Sequence, residues 1–187
     1  ENCTTIWMGD GLEIEPVNAF TIPNSLGWFY SSFTEYLGFQ PNRDEGKVMG
    51  LAAYGKFRSS YASVMQDIVR TVHQGFGYRV DPTYIFYGER SYGARFTEKL
   101  VHVLGAPRRA NEEITERHAD IAWAVQERLD AVVTDLVNSY AAFHGISRVC
   151  LAGGVGMNCV LNRAISNARC IQEVFVQPVS HDAGTAL

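Results

Sequence analysis

Residues 149–162, Val-Cys-Leu-Ala-Gly-Gly-Val-Gly-Met-Asn-Cys-Val-Leu-Asn, decide how the rest of the sequence is interpreted. The four apolar residues at the start predict a short buried strand, which Gly153, Gly154 and Gly156 then interrupt before helical spacing resumes. Glycines between a strand and a helix let the backbone approach a ligand, and the N–H groups of the first helical turn can hold a phosphate. Because the stretch matches neither a P-loop nor a dinucleotide fingerprint, a tight turn without a ligand is an equally open alternative.

The composition is that of a globular domain rather than a nucleic-acid or membrane protein. The chain has 187 residues, of which 47% are hydrophobic and 12% aromatic, enough for one domain with a core. The net charge is −4 and no basic cluster stands out, so nucleic-acid binding is not expected. No apolar run approaches the roughly 20 residues of a membrane span. The four cysteines show no Cys-x-x-Cys spacing, so we expect reduced thiols, mostly packing residues, in a cytoplasmic protein.

Periodicity and turn residues predict the other elements. A β-hairpin is expected at 4–8 and 12–20, turning at Gly9-Asp10-Gly11. Helices are expected at 26–37, in the second half of 44–55, and at 61–72, 97–104 and 157–168, with a long helix that begins at Asn111 or Thr115 and reaches about residue 143. Strands are expected at 77–80, 84–87, 148–152 and 173–177. The aromatic residues of the first helix are interpreted as core. The order of elements favours a single α/β layered domain over residues 1–187, with ligand loops at strand ends.

A second unusual segment, Asp44-Glu45-Gly46-Lys47, opens the short helix expected within 44–55. Acidic residues suit a helix N-terminus, whereas a glycine inside a helix costs about 1 kcal/mol relative to alanine. Gly46 and Gly50 therefore indicate close packing or the close approach of a ligand. Gly55 is expected to end this helix as its C′ residue.

Three segments together resemble the carbamoyltransferases of nodulation and antibiotic biosynthesis. They read Asp-Glu-Gly-Lys-Val-Met-Gly-Leu-Ala-Ala-Tyr-Gly at 44–55, Gly-Gly-Val-Gly-Met-Asn at 153–158 and Ser-His-Asp-Ala-Gly-Thr-Ala at 180–186. The blocks are long, far apart and in the family's order, whereas residues 56–147 carry no comparable motif. The resemblance implies an actin-like, ATPase-type (ribonuclease H-like) α/β fold, with a mixed sheet flanked by helices.

The same resemblance implies an O-carbamoyltransferase. Such enzymes move a carbamoyl group from carbamoyl phosphate to a hydroxyl of a small metabolite, through a carbamoyl-adenylate made from ATP, and they bind Fe²⁺. Intact members also carry an adenylate-forming domain at the carboxy terminus. We therefore expect residues 1–187 to be the carboxy-terminal half of the carbamoyl-transfer domain, a fragment inactive by itself. The sequence does not indicate which metabolite accepts the carbamoyl group.

Residue chemistry and the resemblance together give five candidate nucleotide-binding residues. Gly153 and Gly154 would hold the phosphate or cover the nucleotide, and Lys47 would supply a positive charge. Asn158, one turn into its helix, would bind a hydroxyl or a base edge, and Glu45 would bind ribose hydroxyls. Each side chain has a structural alternative. Glu45 is otherwise a charge favoured by the helix dipole, Lys47 a solvated helix residue and Asn158 a turn residue.

Asp182 is the candidate iron ligand, with His181 beside it as a supporting residue. A helix N-cap is the structural alternative for Asp182, and the resemblance favours the metal. The family places a His-x-x-x-His pair and an Asp-Gly segment upstream, and this sequence contains no such pair. One carboxylate does not hold a transition metal tightly, so we expect the chain alone to bind iron weakly or not at all. His118 is interpreted as a core-edge histidine.

Three other functions stay open at this level. A relative of the same fold transfers a threonylcarbamoyl group to tRNA, although the acidic balance argues against a tRNA surface. A non-catalytic nucleotide-binding module and a phosphotransferase of the sugar-kinase type fit the implied fold alone. Products discriminate among them, because only the carbamoyltransferase yields AMP, pyrophosphate and a carbamoylated metabolite.

Overall fold

A computed structural model of the chain describes residues 1–181, except for the side chains of residues 90 and 91. This part is a mixed α/β protein. Its elements are β1 (Asn2–Asp10), β2 (Glu13–Thr21), α1 (Leu26–Tyr36), α2 (Glu45–Ala52), α3 (Ser59–Ile68), β3 (Val69–Val72), β4 (Gly77–Val80), α4 (Glu98–Leu104), α5 (Glu116–His144), β5 (Arg148–Leu151), α6 (Cys159–Ser166) and β6 (Glu173–Val176). Three short 3₁₀ turns lie at His73–Gly75, Gly88–Tyr92 and Gly154–Met157.

The strands pair two by two. The predicted hairpin is confirmed, because β1 and β2 pair antiparallel around a two-residue connection, Gly11-Leu12. β3 pairs antiparallel with β4, and β5 pairs parallel with β6 through the crossover helix α6. Between residues 1 and 181 these pairs remain separate, so the single mixed sheet expected from the sequence does not extend through that part.

α1 is buried on nearly all sides. The predicted apolar face is confirmed, since Leu26, Phe29, Phe33 and Leu37 are all buried. Five of the residues between them are buried as well, which a single apolar face does not predict. They are Tyr30, Ser31, Ser32, Thr34 and Tyr36. α1 is thus a central helix, and α2, α5 and the glycine-rich 3₁₀ turn pack around it.

α5 is the longest element and forms the other half of the core, packing against α2, α3 and α6. Of the two predicted caps, Asn111 and Thr115, Thr115 is the one that begins the helix, and its backbone N–H donates to His118 Nδ1 at 3.0 Å. His118 therefore caps the helix and is buried, as the core-edge interpretation predicts. Burial, and then the neighbouring Arg117 and Arg108, lower the pKa of His118. No helix between residues 1 and 181 combines the length and the apolar composition needed to cross a membrane.

Two predicted helices have different bounds. The helix expected at 61–72 ends at Ile68, because Val-Arg-Thr-Val then forms β3 and its backbone pairs with β4. The helix expected at 157–168 begins at Cys159, since the preceding residues form a 3₁₀ turn. The strand predicted at 84–87 is reduced to one bridge between Ile85 and Phe96.

β5 is not the buried strand that its apolar sequence predicts. Val149 and Leu151 are half-buried against the apolar clusters, whereas Cys150 is exposed. A parallel pair is buried on both faces only when both are covered, and the described residues cover one. Cys159 is exposed too, so the expectation that the cysteines are packing residues is wrong for these two. All four thiols are free.

Gly55 has a different role from the predicted helix-ending one. α2 ends at Ala52, and its C-cap Ala53 keeps right-handed dihedrals (φ −64°, ψ −19°). A Cβ at Gly55 would lie 2.1 Å from the carbonyl oxygen of Ala119, so glycine lets the chain touch the backbone of α5. At Gly46 and Gly50 a Cβ would meet no described atom within 4 Å, so close packing does not account for these two glycines.

Alanine substitutions at two of these glycines should have opposite effects on stability. Gly55→Ala overpacks the contact with α5 and should lower the free energy of unfolding by about 1–3 kcal/mol. Gly50→Ala adds a methyl group in open space inside a helix and should raise it by up to about 1 kcal/mol. Urea unfolding of the two variants checks this. A destabilised Gly50→Ala, or an unchanged Gly55→Ala, would contradict the packing described here.

Candidate nucleotide-binding site

The glycine turn after β5 has the exposed backbone that a nucleotide site needs. Gly153 adopts φ 93° and ψ 167°, a conformation that only glycine populates readily, and its carbonyl accepts a hydrogen bond from Gly156 N at 2.9 Å. Gly153 and Gly154 are exposed, so a ligand can approach their backbone. The turn lies against the start of α1, where a Cβ at Gly27 would be 3.8 Å from Val155 Cγ2.

Asn158 is the N-cap of α6, so the predicted position one turn into the helix is wrong. Its Oδ1 accepts a hydrogen bond from Leu161 N at 3.0 Å, which satisfies one N–H of the first turn. Its amide also pairs reciprocally with Gln126 of α5. Asn158 Nδ2 donates to Gln126 Oε1 at 3.0 Å, and Gln126 Nε2 donates to Asn158 Oδ1 at 3.2 Å. These bonds use one hydrogen of Nδ2, and the Asn158 side chain also hydrogen-bonds the Tyr30 hydroxyl.

Gln126 is the centre of a polar network between α1 and α5. The Tyr30 hydroxyl donates to Gln126 Oε1 at 2.8 Å, and Gln126 Nε2 donates to Asp130 Oδ1 at 2.8 Å. Burial raises the pKa of Tyr30 above its usual value, and the charges of Asp130 and Glu45 raise it further. Tyr30 therefore stays a neutral hydrogen-bond donor at physiological pH. Because the charge of Glu45 raises the pKa of Tyr30, the start of α2 lies close enough to this network to affect it.

Glu45 opens α2 and is held in a defined orientation. Its Oε1 accepts hydrogen bonds from Asn42 N at 2.6 Å and from Ser31 Oγ at 3.0 Å. Within residues 1–181 the other carboxylate oxygen makes no hydrogen bond, and the side chain is half-buried. An oriented carboxylate with one available oxygen can accept a hydrogen bond from a ligand hydroxyl.

Lys47 lies in the same segment but has a different environment. Its side chain is 61% exposed, and Nζ is 3.0 Å from Asp44 Oδ1. The hydrogen bond from Lys47 lowers the pKa of Asp44. Lys47 would have to leave this ion pair to contact a phosphate, although an exposed pair of this kind is worth little energy.

α1 carries the contacts that bring the other predicted residues to one region. Ser31 reaches the first turn of α2, Tyr30 reaches the amide network, and Gly27 adjoins the glycine turn. α2 and α6 also touch directly, because Met49 Sδ and Cys159 Sγ lie 3.7 Å apart. The structure thus gathers the glycine turn, Asn158 and Glu45 around one side of α1.

The predicted iron ligand, Asp182, lies outside the described residues. His181 is described and is exposed. Up to residue 181, no three or more His, Cys, Asp and Glu side chains are grouped so that they could hold a metal ion. The described residues by themselves therefore do not supply the ligand set that an iron ion would require.

Sequence reasoning missed Tyr30, Gln126 and Asp130. Tyr30 belongs to the aromatic residues that the periodicity assigns to the core, and its hydroxyl has no sequence signal. Gln126 does have one, because it is a polar residue between Val125 and Leu129 on the buried side of α5. A polar side chain in such a position needs a buried partner.

Nearly the whole chain matches one known family. A sequence profile described as Carbamoyltransferase N-terminus matches residues 2–187. The chain belongs to the carbamoyltransferase family. The nodulation protein NolNO of Sinorhizobium fredii (strain NGR234) is 34% identical over 96% of this chain and 24% of its own length. The nodulation protein NolO of Bradyrhizobium diazoefficiens is 35% identical over 96% of this chain and 30% of its own length.

A third similar protein is an uncharacterised protein of Synechocystis (strain PCC 6803). It is 36% identical over 98% of this chain and 29% of its own length. The chain thus spans between about a quarter and a third of the length of these relatives. The family resemblance derived from the three sequence blocks is confirmed.

The pH dependence of stability should report on Asp130. Burial raises the pKa of Asp130 to about 6, and the negative charge of Glu127 contributes while the hydrogen bond from Gln126 opposes. The stabilisation by protonated Asp130 is complete below the unfolded-state pKa of 3.8 and is lost as the pH rises through about 6. Asp130→Asn keeps an acceptor for Gln126 but cannot ionise. Its melting temperature relative to wild type should therefore rise between about pH 4 and about pH 7.5.

Asp67→Asn is the matched control for this measurement, because Asp67 is 54% exposed and pairs with Arg70 on the surface. Its melting temperature relative to wild type should stay nearly constant across the same pH range. A constant difference for Asp130→Asn as well would mean that Asp130 does not titrate near pH 6.

A double-mutant cycle should measure the coupling between Tyr30 and Gln126. Tyr30→Phe removes one of the two hydrogen bonds that Gln126 Oε1 accepts, whereas Gln126→Leu removes the partner of Asp130 and of the Tyr30 hydroxyl, at about 1–3 kcal/mol for each buried group left unpaired. The double variant should be less destabilised than the sum of the single variants, by about 0.5–3 kcal/mol. Additive losses in urea unfolding would show that the two side chains act independently.

Proposed function

We propose that this chain is part of an ATP-dependent O-carbamoyltransferase that acts on a small hydroxylated metabolite. Carbamoyl phosphate is the carbamoyl source, and the group is transferred through a carbamoyl-adenylate. Family membership supports carbamoyl transfer in general. The observation that supports a nucleotide site is the exposed turn at Gly153 and Gly154, gathered beside Glu45 and Asn158. An actin-like fold in a cytoplasmic protein is part of the same proposal.

The residues match the parts of an adenylate. Backbone N–H groups at Gly153 and Gly154 would take the phosphate, with Lys47 as a second contact once it leaves Asp44. The available oxygen of Glu45 would accept a hydrogen bond from a ribose hydroxyl. The amide of Asn158 would contact a ligand hydroxyl or base edge by giving up one of its hydrogen bonds within the protein. Held in this way, the activated carbamoyl group keeps one orientation toward the acceptor hydroxyl.

ATP supplies the activation in this proposal, because attachment to AMP gives the carbamoyl group a good leaving group. The adenylate itself would form in a separate adenylate-forming domain. This division is compatible with relatives that are more than three times as long as the matched region. An iron ion in the intact enzyme would need ligands beyond residues 1–181.

The products test this function. The complete gene product should convert carbamoyl phosphate, ATP and one member of a panel of hydroxylated metabolites into AMP, pyrophosphate, inorganic phosphate and an O-carbamoylated compound, detected by mass spectrometry. Formation of ADP and a phosphorylated metabolite would identify a kinase instead. Nucleotide binding without turnover on any acceptor would identify a binding module.

Two glycines with positive φ provide matched variants for the site itself. Gly153 and Gly145 adopt φ values of 93° and 67°, and a Cβ at either position would meet no described atom within 4 Å. Alanine at each adds backbone strain of about 1–3 kcal/mol without a clash. Only Gly153→Ala should lower the kcat/KM of carbamoyl transfer, by about tenfold or more. Equal activity losses in both variants would mean that Gly153 acts through stability alone.

A further inference from the structure

Arg95 is a second cation beside the candidate site, and it is much less exposed than Lys47. The Arg95 side chain is 14% exposed, compared with 61% for Lys47. It lies between the 3₁₀ turn at Gly88–Tyr92 and α4, in the long segment that carries no family motif. A guanidinium in such a position is costly to bury unless its donors are satisfied.

The backbone of Arg95 is fixed from two sides. Its carbonyl oxygen accepts hydrogen bonds from Phe86 N and from Ser32 Oγ, both at 2.9 Å. Its N–H donates to Glu35 Oε1 at 3.4 Å. Ser32 and Glu35 belong to α1, so the same central helix that gathers the candidate site also positions Arg95.

The guanidinium of Arg95 makes only long contacts. Nη1 donates to Ser31 Oγ at 3.2 Å, and Nε is 4.0 Å from Glu35 Oε2. Charge-assisted hydrogen bonds are about 2.7–2.9 Å long, and a guanidinium has five N–H donors. Within the described part of the chain, several guanidinium N–H groups of Arg95 therefore make no hydrogen bond.

Two other arginines, which contact the carboxy-terminal end of α1, make shorter hydrogen bonds. Arg108 Nε donates to Leu37 O at 2.7 Å, and Nη1 donates to carbonyl groups of residues 110 and 112. Arg117 Nη2 donates to Leu104 O at 2.6 Å and to the Tyr36 hydroxyl at 2.7 Å. These two arginines hold the fold together, whereas the head group of Arg95 lacks contacts of that kind.

Ser31 connects Arg95 to the candidate site. Its hydroxyl accepts the hydrogen bond from Arg95 Nη1 and donates its own to Glu45 Oε1. We propose that Arg95 binds the phosphate group of the nucleotide, beside the Glu45 carboxylate and through its unused guanidinium N–H groups. This inference rests on the nucleotide site of the proposed function and adds a phosphate-binding residue to it. A guanidinium suits this task because it can bind two phosphate oxygens at once.

The experiment compares AMP with adenosine, which differ only in the phosphate. Isothermal titration calorimetry on the complete gene product would measure both ligands for wild type, Arg95→Gln and Lys47→Gln. Arg95→Gln should weaken AMP binding by about tenfold or more and leave adenosine binding unchanged. The matched control is Arg70→Gln, since Arg70 is 64% exposed and pairs with Asp67 at 3.2 Å. It should change neither affinity.

Each other outcome overturns the inference in a distinct way. Equal losses of AMP and adenosine binding in Arg95→Gln would make Arg95 a structural residue. An unchanged AMP affinity in Arg95→Gln, with a selective loss of AMP binding in Lys47→Gln, would show that Lys47 and not Arg95 binds the phosphate. Wild-type protein that binds no AMP would overturn the inference as well.

The proposed function can fail separately. If AMP binding depends on Arg95 but no carbamoylated product forms from any acceptor, the nucleotide site stands and the transferase proposal is wrong. If carbamoyl transfer is observed while Arg95→Gln binds AMP normally, the transferase proposal stands and the inference about Arg95 is wrong.

Discussion

The burial of α1 is the constraint on which the other elements depend. The helix is enclosed on nearly all sides, yet five of its eleven residues carry hydroxyl groups. A buried hydroxyl without a partner costs roughly 1–3 kcal/mol, so each must be paired. Thr34 and Ser32 bond carbonyl groups of their own helix, and Ser32 also bonds the carbonyl of Arg95. The other three reach outward, which fixes the positions of α2, α5 and the loop after α4.

Two of these outward hydrogen bonds lead to the candidate site. Tyr30 bonds the glutamine that pairs with Asn158, and Ser31 bonds Glu45. The hydrogen bonds that satisfy the buried hydroxyl groups of α1 are therefore the same ones that position the residues of the candidate site. A substitution that weakens the packing of α1 also releases the groups around the glycine turn. Stability and ligand binding should be coupled in this region, which is why the variants described above include surface or remote controls.

Local patterns predicted much of the fold. The Asp-Gly turn identified the hairpin, and the 3.6-residue periodicity identified α1 to within one residue and the end of α5 to within one residue. The errors arise where distant residues decide the local structure. Val69–Val72 continues a helical pattern and becomes a strand because β4 is available to pair with it. Gly55 looks like a helix end, but its glycine is required by the backbone of Ala119 on another helix.

The same limit applies to the site. The sequence blocks located the glycine turn and Glu45, but those blocks do not contain the α1 and α5 residues that contact them. Tyr30, Ser31, Arg95 and Gln126 all lie outside the blocks, and each is joined to the site through contacts with residues far away in sequence. In the proposed site, the glycine turn would supply the backbone groups that contact a ligand. The surrounding helices decide which side chains carry spare donors and acceptors there. Two chains with identical motif blocks can therefore differ in what they bind, because the partners of α1 set the charge and the hydrogen-bonding capacity of the site.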